Sequence, residues 1–170
     1  QPARFPAATH GAGELRYVQG VPVLTVRGTP AEMGEQFGVL AVKNAPDLDG
    51  LHDRFLADVG MKDRYPLVVG LARQLLPNFP PHLRAEMEAA AKAGNSPPDR
   101  HVFANTVADL TSGLGCSTVV VEPARSATGA PLFGRNFDWH PTTGIAEHTL
   151  LTVYRGAGKR AFASVGVTPL

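Results

Sequence analysis

The sequence predicts an α+β protein, helical through most of its first part and β in its last. Three observations lead there. Apolar residues recur at three- and four-residue spacing across residues 29–110. Across residues 116–165, β-branched and apolar residues run in short extended stretches broken by Gly- and Pro-containing turns. Between the two regions stands Thr111-Ser-Gly-Leu-Gly115, a small-residue stretch that suits a hinge.

Two extended runs open the chain, Leu15–Val18 and Pro22–Val26. Thr29-Pro-Ala-Glu32 then has the form of a capping box with Pro30 at the first helical position. Met33, Phe37, Leu40 and Ala41 follow at helical spacing. Gly34 and Gly38 share one face of that helix. A glycine in a helix interior costs about 1 kcal/mol relative to alanine, so the pair predicts close approach to another backbone. Leu48, Leu51, Phe55 and Val59 mark a second helix. Leu67, Val68, Leu71, Leu75 and Leu76 mark a third, stopped by Pro77. A fourth follows Pro80-Pro81, passes Leu83, Met87 and Ala90, and ends at the stop signal Gly94-Asn95. Asp99 to Leu110 makes a fifth. Beyond the hinge, Cys116–Glu122 reads as a strand, Pro123–Gly129 as a turn and Leu132–Phe137 as its hairpin partner. His148–Arg155 and Arg160–Val165 form a second hairpin around Gly156-Ala-Gly158. There is no internal repeat and no low-complexity segment.

Composition removes several classes of function. The 170 residues carry 16 Lys+Arg against 15 Asp+Glu, for a formal charge of +1. No like-charged block stands out, which argues against nucleic acid or an anionic membrane as a partner held by bulk electrostatics. The apolar stretch Pro66–Leu76 carries an Arg and is too short for a membrane span. An apolar content of 44% suits one domain with a real core. One cysteine, Cys116, excludes an internal disulfide framework. The chain opens on Gln1 rather than Met, so a tag, signal peptide or leader is expected to have been removed; export to a periplasm or the outside would account for it.

A lone cysteine is ordinarily a small buried hydrophobe. The setting of Cys116 gives it a second reading. It follows Gly115, whose missing side chain leaves its carbonyl open to attack and its backbone free to strain. Attack by the Cys116 thiol on that carbonyl would form a thioester, and hydrolysis would leave Cys116 with a free thiol and a free α-amine. Their reference pKa values, about 8.5 and about 7.7–8.0, let the amine act as base for the thiol near neutral pH. The facing strand carries Gly134-Arg-Asn-Phe-Asp138-Trp. A cation such as Arg135 near Cys116 would steady its thiolate, and a carboxylate such as Asp138 would orient the amine. The competing reading is an ordinary polar strand end with an Arg–Asp pair. Residues 135 and 138 differ in parity, so both serve one site only if the strand bulges or ends near Asn136–Phe137.

The Cys116-Ser-Thr-Val-Val-Val-Glu122 and Gly134-Arg-Asn-Phe-Asp138-Trp139 segments together resemble the nucleophile hairpin of N-terminal-nucleophile hydrolases. The resemblance is to the acid ceramidase and N-acylethanolamine amidase family and to the penicillin acyl-CoA acyltransferase family, with choloylglycine hydrolases and penicillin V acylases more distant. Gly28-Thr-Pro-Ala-Glu-Met-Gly-Glu-Gln-Phe-Gly38 is similar to a glycine-bearing helix of the acyltransferase group. The resemblance covers nearly the whole chain, and the hairpin is its specific part. It implies a four-layer αββα sandwich, incomplete here. Residues 1–115 would be the mostly helical α-segment or propeptide, residues 116–170 the start of the β-segment, and the remainder would lie beyond Leu170 or on a second chain. It implies cleavage between Gly115 and Cys116, with Cys116 as nucleophile and base, Arg135 beside the thiol, Asp138 on the amine, and no cofactor. Trp139 would line the acyl pocket or pack in the core. Asn136 belongs to the motif without a catalytic role. Ser117 stands where threonine is usual, the Pro123–Gly129 turn is slightly long, and the family's downstream oxyanion asparagine has no counterpart.

The expected function is therefore that of a self-processing zymogen: a cysteine amidase or acyltransferase cleaving a linear N-acyl amide with an apolar acyl part through a Cys116 thioester. The alternative is a non-catalytic structural or interaction fragment with Cys116 buried and inert. The six histidines, His140 and His148 among them, show no metal spacing, so no metal is expected.

Overall fold

The computed structural model describes residues 5–110, 115–138 and 144–168, with backbone alone at 108–110, 115, 116, 137 and 138. Among these residues the fold is mixed α and β, with five α-helices and two sheets.

The chain opens with an antiparallel meander: β1 (Ala8–His10), β2 (Gly13–Val18) and β3 (Val21–Gly28). Between β2 and β3, Gln19 (φ 50°) and Gly20 (φ 82°) both take left-handed backbone, as a two-residue type I′ hairpin requires. Alternation along β2 buries Leu15 while Glu14 and Arg16 stay exposed; on β3 it buries Leu24 and Val26. β1 is an addition to the strands expected from sequence, its three residues being too few to display a period.

α1 (Pro30–Phe37) starts as the capping box predicts. The Glu32 N–H donates to Thr29 Oγ1 at 3.3 Å, and the Thr29 N–H donates to Glu32 Oε2 at 2.7 Å. The chain continues as a π turn over Gly38–Val42, then α2 (Leu48–Asp58), α3 (Tyr65–Leu75), α4 (Pro81–Ala93) and α5 (Pro98–Leu110). The glycine pair in and after α1 does what its spacing suggests. A Cβ on Gly34 would collide with the Glu86 carbonyl of α4, and one on Gly38 would stand 2.5 Å from the Ala90 carbonyl oxygen.

One detail departs from expectation. α3 meets the core through Val69 and Ala72, while Leu67 and Leu71 are 65% and 45% exposed. Only one face of a helix can be buried, and α3 turns the face carrying small Ala72 inward. α4 ends at the expected Gly94-Asn95 stop, with Asn95 as the left-handed residue (φ 51°). The Ser96 N–H reaches the Ala91 carbonyl at 3.0 Å and the Asn95 N–H the Lys92 carbonyl at 3.3 Å, a Schellman closure. Gly94 meets a different need: a Cβ there would lie 2.6 Å from Val42 Cγ1.

β4 (Gly115–Val121) and β5 (Leu132–Asp138) form a separate two-stranded antiparallel sheet. β6 (Thr149–Gly156) and β7 (Phe162–Val167) do not extend it. β6 instead pairs in parallel with β3, from Val23↔Leu151 to Gly28↔Gly156, and gives a five-stranded order β1-β2-β3-β6-β7. Parallel pairing demands a long crossover, and all five helices lie within this one. His148 ties the start of β6 to the helical part. Its Nδ1 stands 2.8 Å from the Gly144 carbonyl and its Nε2 faces that of Pro46.

Two apolar clusters form the core. One joins Leu51, Phe55, Val69, Phe103 and Val107 among the helices; the other joins Phe5, Leu15, Leu24, Val26, Leu40 and Leu150 between α1 and the sheet. Phe37 and Ala45 pack against both. No described helix is long and apolar enough to cross a membrane.

Candidate active site

The β4–β5 hairpin carries the residues singled out by sequence. Seven successive residues pair in step, from Gly115↔Asp138 through Cys116↔Phe137, Ser117↔Asn136 and Thr118↔Arg135 to Val121↔Leu132. β-branched Thr118, Val119, Val120 and Val121 favour β4. The loop closes with a 3₁₀ turn at Pro123–Arg125 and Gly129 at φ 69°. Within it the Ser126 and Thr128 hydroxyls stand 2.8 Å apart.

This register corrects one sequence expectation. A bulge or strand end near Asn136–Phe137 was needed to bring positions 135 and 138 to one face. β5 instead runs in register to Asp138, and no residue between 132 and 138 is left over to form a bulge. Alternation therefore sets backbone positions 116, 118, 135 and 137 on one face of the hairpin, and 115, 117, 136 and 138 on the other. Position 138 pairs with Gly115, the residue just before the bond in question.

The side chains of Ser117, Thr118, Arg135 and Asn136 are all exposed. So are the apolar ones between them: Val119 is 64% exposed, Val120 70% and Phe133 68%. Position by position, then, Gly115, Cys116, Arg135 and Asp138 belong to one short ladder, with Cys116 and Asp138 described by backbone alone. Residues 111–114, expected from sequence to form a hinge, and Trp139 and His140 lie outside the described residues.

Other titratable groups that could act as bases pack elsewhere. His52 is buried edge-on against Tyr65, with ring centres 5.0 Å apart, and Phe103, at 5.6 Å. Burial, and then the nearby Arg100 guanidinium, push its pKa down to about 4. His101 is buried too and is lowered to about 4 for the same two reasons. Both are neutral core rings at neutral pH. Arg100 itself pairs with Asp49. Among the described residues, no group of three or more His, Cys, Asp or Glu side chains could hold a metal ion.

Sequence reading missed a cavity of about 390 Å³ between α4, α5 and the β6–β7 hairpin. Its polar side chains, Glu86 on α4, His101 and Asn105 on α5, and Thr152, Tyr154 and Ser164 on β6 and β7, come from distant segments, so no local motif could announce it.

A scan of the chain against protein-family models finds no match, and no curated protein matches it.

Proposed function

We propose that the chain belongs to a self-processing cysteine N-terminal-nucleophile hydrolase or acyltransferase, with Cys116 as nucleophile. The observation that carries this reading is the unbroken register that pairs Asp138 with Gly115 and sets position 135 on the face of position 116. The amine in question is the backbone nitrogen of Cys116, which lies in the plane of the sheet. A carboxylate at position 138, on the face opposite positions 116 and 135, would have to approach that nitrogen from there; thiol and amine would then be served from two faces rather than from the single site that a bulge would make. An arginine at a position on the same face as position 116 would steady a thiolate there.

In this reading the continuous Gly115–Cys116 strand is the precursor. The Cys116 sulfur attacks the Gly115 carbonyl carbon. The C–N bond breaks, the nitrogen takes up the thiol proton, and a thioester joins Gly115 to Cys116. Water cleaves it, leaving a carboxylate on Gly115 and a free amine and thiol on Cys116. The same thiol then attacks the carbonyl of an N-acyl amide, the amine leaves, and water or a second amine takes the acyl group. The fold would be the αββα sandwich. A further segment of the same precursor would pair with the open strands of the hairpin and wall the acyl pocket, since Val119, Val120 and Phe133 stand exposed and oxyanion stabilisation acts best with water excluded.

Mass spectrometry of the full-length protein tests this. A fragment beginning at Cys116 is expected, and Cys116→Ala should remain whole and inactive on N-acyl amides. Cleavage at the same bond in that variant would overturn the proposal. Arg135→Ala and Asp138→Ala should each lower turnover by about 10²-fold.

A further inference from the structure

The cavity of about 390 Å³ between α4, α5, β6 and β7 has the size of a small-ligand site. Its walls are mostly apolar and partly aromatic, with Phe37, Phe79, Met87 and Leu150 among them. On the sheet side Tyr154 stacks on Phe162, its cross-strand partner, with ring centres 4.7 Å apart and planes 12° from parallel. The described lining includes no residue of the β4–β5 hairpin.

Among the described residues, the one carboxylate lining this cleft is that of Glu86 on α4. It is half-buried, and burial raises its pKa. Burial is the one influence on its charge, and none of the ion pairs His10–Glu35, Arg54–Asp47, Lys62–Asp53, Arg73–Asp99 and Arg100–Asp49 includes it. His101, in the opposite wall, supplies no cation. It is 3% exposed, its Nε2 has no hydrogen-bond partner, and burial holds the ring neutral at neutral pH. Tyr154 stays a neutral phenol as well, its pKa pushed up to about 12 by burial and by the Glu86 charge. A partly desolvated carboxylate outside those ion pairs, set among π faces, is the environment that favours a cation. The charge is compensated by the carboxylate and attracted to the rings, while the same carboxylate repels an anion.

We propose that this cleft is a binding site for a small organic ammonium ion, an aryl- or alkylamine whose charged head meets Glu86 and whose apolar body lies along Tyr154, Phe162 and Met87. A single carboxylate is too few ligands for a metal ion, and the apolar walls favour an amine with a hydrophobic body. Its described lining holds no residue of the Cys116 hairpin, and the proposal does not rest on acyl chemistry.

Calorimetric titration of the protein near neutral pH with phenethylamine, phenylethanol and phenylpropionate tests the proposal without reading turnover. The ammonium ion should bind about tenfold more tightly than the uncharged alcohol, and the carboxylate should bind least. Amide NMR shifts caused by the amine should fall on α4, β6 and β7. Glu86→Gln should erase the advantage of the amine over the alcohol. If Glu86→Gln does not fold, Phe162→Ala at its exposed position should weaken amine binding about tenfold. Equal binding of amine and alcohol, absence of amine binding, or amine binding unchanged in whichever variant folds would overturn the proposal.

Discussion

β3 and β4 are both short strands rich in β-branched residues, yet they meet opposite environments. Leu24 and Val26 on β3 are fully buried, whereas Val119 and Val120 on β4 are 64% and 70% exposed. β3 is paired on both edges, by β2 and β6, and α1 packs across it. Among the described residues β4 pairs only with β5, in a two-stranded sheet, the kind that is marginal on its own in water. A strand's composition makes it a strand; the elements that return to it make it core. The five-stranded sheet and its helices therefore hold the stability of the chain, while the hairpin bearing Cys116 and Arg135 contributes little to it.

The first test of that division is steric. Gly34→Ala would set a methyl group against the Glu86 carbonyl. Alanine gains about 1 kcal/mol in helix propensity, but overpacking against rigid backbone should win and cost about 3 kcal/mol net, read as a lower midpoint in urea. An unchanged or raised midpoint would show that α1 and α4 can separate, and would break the comparison.

Acid comes next. His52 and His101 have folded pKa values lowered to about 4 from 6.5. The unfolded chain therefore takes up protons between those values while the folded chain does not. The two histidines' contribution is full above pH 6.5 and is lost as pH drops from 6.5 toward 4, by on the order of 3 kcal/mol for each histidine. Residues 115–138 contain no histidine, so the loss should appear in hydrogen exchange of α2 and α5. His52→Phe, which keeps an aromatic ring between Tyr65 and Phe103, should flatten the slope. A slope unaltered by that change would exclude His52 as its source.

Removal of the capping box is a smaller perturbation. Thr29→Ala deletes the acceptor for the Glu32 N–H and should cost about 1 kcal/mol by chemical denaturation. The smallest effect is expected in the hairpin. Val120→Thr and Phe133→Ser should shift the unfolding midpoint by no more than about 0.5 kcal/mol while reducing self-association, as sedimentation would report. A large loss of stability from either would mean that the hairpin belongs to the core after all.

Much of this was legible in local sequence. The Thr29 capping box, the Gly34–Gly38 close approach, the helix limits near Pro81 and the pairing of the Cys116 strand with the Arg135 strand all follow from residues a few positions apart. Their physical causes, a cap, a missing Cβ, a ring without an N–H and a short loop, act over one turn or one hairpin. Tertiary structure alone decided the rest. The β6–β7 hairpin could have continued the sheet of β4 and β5. It joins β3 instead, because parallel partners so far apart in the chain are selected by the core they close, Leu24 with Leu150. The inward face of α3 was settled by its neighbour α5. The Glu86, His101 and Tyr154 cleft exists only once α4, α5 and β6 meet, since long-range packing leaves no period or motif in the sequence.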